Sequence, residues 1–168
     1  MIRKLTAIAG MVALTAGLGG CFQPLYGPGL SAVAPAMAQI TVDPVPGHIG
    51  HQLKSELDFM LSNGTPPASP VYRLKVTPSG GGAPVVVDSQ AGRPQVMAYN
   101  LSASYSLTSI KDGKIVSSGT AAVQASYDRN AQRFATVRAV RDVEIRAATQ
   151  LAEQIKARII PSLAGLKD

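Results

Sequence analysis

The chain has 168 residues, 46% of them hydrophobic and 15% charged, with a net charge of +6. That is enough apolar material for one core in one domain. The charge is too mild to demand a polyanion. With no tryptophan and 5% aromatic residues the chain also lacks the stacking platform that single-stranded nucleic acid requires, so no nucleic-acid partner is expected.

Residues 1–20, MIRKLTAIAGMVALTAGLGG, read as an export signal: Arg3 and Lys4 form a positive start, Leu5 to Leu18 an uncharged apolar run, and Gly19 and Gly20 a small-residue close. The run is short of the ~20 residues that a membrane-spanning helix needs. Leu18-Gly19-Gly20-Cys21 then resembles a bacterial lipobox, which implies cleavage before Cys21 and lipid on its thiol. Cys21 is the single cysteine, so no intramolecular disulfide can form. The expected modification is a thioether-linked diacylglycerol plus an N-acyl chain, with no other cofactor. Several acyl chains anchor firmly, at about 0.8 kcal/mol per buried methylene. Phe22 stands where an aspartate would signal inner-membrane retention, which points to the outer membrane, periplasmic side, of a Gram-negative bacterium.

Cys21-Phe22-Gln23-Pro24-Leu25-Tyr26-Gly27 resembles the start of the mature LptE family of lipopolysaccharide (LPS)-assembly lipoproteins, in its alphaproteobacterial form. The chain departs from that pattern by lacking a glycine directly after the cysteine. The resemblance implies a sheet covered by two helices, an LptD-type outer-membrane β-barrel as partner, and LPS as ligand. It also implies basic lipid-contact positions before the long central strand and early in the last helix. Arg93 and Arg138 are the nearest residues here.

Residues 21–38 are expected to be a lipidated N-terminus and flexible tether, 39–163 a single domain, and 164–168 a tail. A short strand around Ile40 and Val42 is stopped by Pro44 and Pro46. Ile49, Leu53, Leu57, Met60 and Leu61 recur at helical spacing, and Asn63-Gly64 ends that helix. VYRLKVTP alternates as a strand, with Tyr72, Leu74 and Val76 on one face and Arg73 and Lys75 on the other. SGGGAPVVVDSQAGRP reads as a long flexible connection with a short strand at Val85–Val87. From Met97 to Thr108 an apolar face alternates with a face of small polar residues, the pattern of a sheet covered on one side. Asp112-Gly113 centres a hairpin, and IVSSGTAAVQASYD returns beside it. A last helix runs from about Asn130 to Ile160, with Val137, Val140, Ile145, Ala148, Leu151, Ala152, Ile155 and Ile159 as its buried stripe and Pro161 as its stop. The fold expected is α+β: a four-stranded, largely antiparallel sheet with two helices packed on one face, in the order β-α-β-β-β-α.

His48 and His51 have the i, i+3 spacing of a metal pair but no third ligand near in sequence, so no metal is expected. Gly80-Gly81-Gly82 is not followed by Gly-Lys-Ser/Thr and is no phosphate loop, and no serine sits in Gly-x-Ser-x-Gly. No catalytic residues are assigned and an enzyme is not expected. Arg129, Arg133, Arg138, Arg141 and Arg146 crowd the front of the last helix, where guanidinium groups could meet lipid phosphates. The function expected is a plug and assembly factor for the barrel that also binds LPS. The alternative is an auxiliary or structural envelope lipoprotein of another lipid-transport system.

Overall fold

In a computed structural model the described residues are 30–87, 94–129 and 132–167. Their elements are α1 (Leu30–Met37), β1 (Ile40–Val42), α2 (His48–Ser62), β2 (Tyr72–Val87), β3 (Pro94–Ser109), β4 (Ile115–Asp128) and α3 (Arg133–Ala164), closed by a 3-10 turn at Gly165–Lys167. The strands form one sheet in the order β1-β2-β3-β4. β1 pairs parallel with β2, Ile40 opposite Tyr72. β2–β3 and β3–β4 are antiparallel. The expected α+β class and element order hold, with a third, short helix ahead of β1.

Alternation decides which side is buried. Leu74 and Val76 from β2, Tyr99, Leu101, Ala103, Tyr105 and Leu107 from β3, and Ala121 from β4 all point beneath the helices. From above, Leu53, Leu57 and Leu61 of α2 and Val143, Ala147, Leu151, Ile155 and Ile159 of α3 meet them. α2 stops where the sequence indicated: Asn63 is left-handed (φ 53), and the N–H groups of Asn63 and Gly64 donate to the carbonyls of Phe59 and Asp58.

Four expectations need correction. Residues 30–37, read as tether, are helical; Val33 and Met37 are buried and α1 packs on α3. Residues 79–84, read as a flexible connection, continue β2, because antiparallel pairing with β3 runs without interruption from Tyr72 to Pro84. Gly80 sits where the partner strand comes close: a Cβ there would stand 2.9 Å from Leu101 Cδ1 and 3.1 Å from the Asn100 carbonyl oxygen and the Tyr99 hydroxyl, so these neighbours would have to shift. Pro161 lies inside α3 rather than ending it; it forfeits one N–H, and its own carbonyl accepts from Gly165 N–H. The expected tail at 164–168 therefore begins as the end of α3 and the 3-10 turn. Finally, Val137 and Ile145, expected in the buried stripe of the last helix, are 62% and 40% exposed. α2 begins only at His48, whose Nδ1 lies 3.7 Å from Glu144 Oε2, so the front of α3 has passed beyond its neighbour.

Both outer margins of the sheet are protected. Asp43 N–H donates to the Leu74 carbonyl, so even-numbered β2 residues turn their backbone groups toward β1 and, past Leu74, toward the open edge. Pro78 and Pro84 are both even-numbered, and each removes a donor from that edge. On the opposite margin the same alternation turns the Thr120 and Ser126 carbonyls outward. Arg158 of α3 donates to the first and Arg146 Nη2, at 3.5 Å, to the second.

Candidate functional site

The uncovered face of the sheet is built by register. Thr77, Ser104 and Thr120 stand in one row across β2, β3 and β4. Lys75, Ser106 and Ser118 form the next row, Ser79, Ser102 and Ala122 another, and Gly81, Asn100 and Gln124 a fourth. The hairpin is regular through these rows, so Ser118 and Thr120 share the face of Ser102, Ser104 and Ser106. Ser104, Ser118 and Thr120 are exposed, whereas Ser102 is half-buried, its hydroxyl donating to the Ser79 carbonyl at 3.3 Å. The result is a broad, shallow face of hydroxyls, amides and small side chains, with Arg73 and Lys75 as the large charged residues at its β2 end. Hydroxyls donate and accept alike, and short side chains let another backbone approach closely. At its corner Arg73 Nε lies 3.8 Å from Asp43 Oδ1.

The far part of β2, from Ser79 onward, was not legible while residues 79–84 read as a connection. One signal could have revealed it: Pro78 and Pro84 are six positions apart, an even offset, so both can point to the same, outer side of one edge strand.

The second surface is the front of α3. Arg133, Arg138 and Arg141 are exposed, and none makes an ion pair or hydrogen bond to another described residue. Arg146 is different: its Nε lies 2.8 Å from Asp142 Oδ2, four residues earlier, which together with the Ser126 carbonyl makes it a structural residue. Glu144 is turned toward the sheet. Burial, and to a lesser degree the charge of Glu144, raises the Tyr99 phenol above its ordinary pKa of 10.0.

Of the positions implied by resemblance, Arg138 stands free on α3. Arg93 and Cys21 lie outside the described residues. His48 and His51 are both exposed, and among the described residues no three His, Cys, Asp or Glu side chains converge as a metal site. No described helix is long and apolar enough to cross a membrane.

The profile of the LptE family, described as lipopolysaccharide-assembly, matches residues 37–159. No curated protein sequence matches the chain. Solved structures do. A protein of Caulobacter crescentus described as a candidate lipoprotein is 23% identical with a TM-score of 0.68, over 80% of this chain and 98% of that one. The rare lipoprotein B of Shewanella oneidensis is 11% identical with a TM-score of 0.59, over 77% of this chain and 98% of its own. A minor lipoprotein of Acinetobacter baumannii is 17% identical with a TM-score of 0.55, over 73% and 90%. At these identities the likeness is one of fold.

Proposed function

The chain belongs to the LptE lipopolysaccharide-assembly family, and from that premise we propose that it is an outer-membrane lipoprotein, acylated on Cys21, that serves an LptD-type β-barrel as plug and assembly factor. The observation that carries the mode of action is the uncovered sheet face. A barrel lumen is polar, and a plug must bring a surface that satisfies hydrogen-bonding groups without large side chains that hold the wall away. Rows of Ser, Thr, Asn, Gln and Gly across three strands do that. The helices bury the other side of the sheet. No catalytic step is assigned; the protein works by shape, position and polar pairing. Direct contact with LPS is a second part of the role, with Arg138 and Arg93 as its candidate phosphate partners.

Two measurements test this. Intact-mass analysis of protein extracted from membranes should give a chain beginning at Cys21 with the mass of diacylglycerol and an N-acyl group added. An unmodified thiol, or a mature N-terminus elsewhere, removes the anchoring. Affinity purification from detergent-solubilised envelopes should recover an LptD-type barrel. Recovery of a transporter ATPase without a barrel would instead favour an auxiliary lipoprotein of another lipid-transport system.

A further inference from the structure

The seam of α3 that packs against its neighbours runs Ala148, Ala152, Ile155 and Ile159, all fully buried. Spaced alternately by four and three residues, these positions lie on one helical stripe. Traced toward the N-terminus at the same spacing, the stripe continues through Ile145, Arg141, Arg138 and Phe134. Val137 stands beside it, one turn from Phe134 and Arg141. The seam that is buried in the second half of α3 is therefore open in the first half. Phe134 is 87% exposed and Val137 62% exposed. Thr136, Val137, Arg138, Val140, Arg141 and Glu144 line a shallow cleft there.

The composition of the open seam says what it can receive. A helix docking there in place of α2 would bury the guanidinium groups of Arg138 and Arg141 and would have to supply carboxylates to both, since a buried unpaired charge is very costly. No carboxylate lies on the stripe itself. Glu144, on its flank, faces His48 and Tyr99, and Asp142 is held by Arg146. A lipid surface makes no such demand. It presents phosphate and hydrocarbon within one side-chain length, so an arginine can lay its stem among apolar neighbours and raise its head to the phosphates.

We propose that the front of α3, through Phe134, Val137 and Ile145 with Arg138 and Arg141, is a peripheral contact for an anionic phospholipid surface. This contact goes beyond the plug function and needs neither the barrel nor LPS. It gives the domain a second point of membrane contact besides the acylated N-terminus, and so a preferred orientation.

The chain has no tryptophan, which makes Phe134→Trp a clean reporter. The probe is the chain from residue 21 onward with Cys21→Ser, which removes the acylation site. Vesicles of phosphatidylethanolamine and phosphatidylglycerol, free of LPS, should shift the emission of the introduced indole to the blue and bring it within reach of brominated-lipid quenching. Pure phosphatidylcholine should do so far less. Arg138→Glu with Arg141→Glu should lower partitioning about tenfold or more, each basic side chain near an anionic surface contributing attraction, while circular dichroism stays unchanged. A reporter at Glu153→Trp, exposed on another side of α3, should not respond. Three results overturn the proposal: no shift on anionic vesicles in a folded protein, a shift only when LPS is added, or an equal shift at position 153. Co-purification with the barrel is read separately, so failure here leaves the plug assignment standing and failure there leaves this one.

Discussion

Gly50, in the first turn of α2, carries a constraint that no periodicity reveals. A Cβ there would stand 2.6 Å from Val45 Cγ1 and 2.9 Å from the Val45 carbonyl oxygen, between which there is no room to retreat. Val45 is itself buried between Pro44 and Pro46, so it cannot swing aside cheaply. Gly50→Ala should lower stability by roughly 1–3 kcal/mol, the range for overpacking a filled core, read as a fall in the denaturation midpoint; an unchanged midpoint would mean that the β1–α2 connection yields. Gly119 is a milder case of the same kind: a Cβ there would stand 3.1–3.3 Å from the Tyr105 ring, which covers that space. Tyr99 brings a pH dependence. Its folded pKa lies above the unfolded value near 10. The unfolded chain thus releases this proton first as pH rises. The contribution of the neutral phenol is complete below pH ~10 and is lost as pH climbs through the folded pKa. Stability should decline in that alkaline window, and Tyr99→Phe should make the decline shallower; identical slopes for both proteins would exclude Tyr99 as the cause.

At the scale of elements, the two margins of the sheet are guarded by different chemistry, one by removing donors and one by occupying acceptors. The β2 edge loses N–H groups at Pro78 and Pro84, and the β4 edge has two carbonyls engaged by Arg146 and Arg158. Opening either edge should promote strand-to-strand association. Pro78→Thr with Pro84→Thr, or Arg146→Ala with Arg158→Ala, should raise concentration-dependent light scattering while the monomer keeps its far-ultraviolet spectrum. Scattering at the level of the unmutated chain would mean that strand twist already protects these edges. The same elements show what the sequence could and could not convey. The β3 alternation was plain because every second residue is apolar from Tyr99 to Leu107. The end of β2 was hidden because Pro and Gly lower strand propensity locally, while pairing with a strong partner strand overrides it. The stripe of α3 was read correctly from Ala148 onward. It failed at Val137 and Ile145 because periodicity reports which residues share a face, not how far the covering helix extends.

For the molecule as a whole, the decisive asymmetry is a sheet with helices on one side and a polar face on the other. That asymmetry was legible from Ser102, Ser104, Ser106 and Thr108 alone. Its width was not, because the rows depend on β2 and β4 arriving in register. If the polar face meets the barrel wall, bulk at its centre should matter more than bulk at its rim. Ser104 lies between Thr77 and Thr120 in the middle strand of three. Ser104→Arg should therefore reduce barrel recovery severalfold while the isolated domain melts within a degree or two of the parent, since the site is exposed. Full recovery of the complex would move the contact to other surfaces of the protein.

The three-residue strand β1 has a consequence for the order in which the chain takes shape. β2, β3 and β4 are neighbours in sequence, and the Asp112-Gly113 turn, with Gly113 at φ 69, joins two of them directly. β1 must wait for Tyr72–Leu74, which arrive only after α2 and the loop that follows it. Contacts that close long loops form late. β1 therefore stands early in the chain and pairs late. Pulse-labelled hydrogen exchange during refolding should find the β3–β4 amides protected first and Asp43 N–H, whose acceptor is the Leu74 carbonyl, among the last.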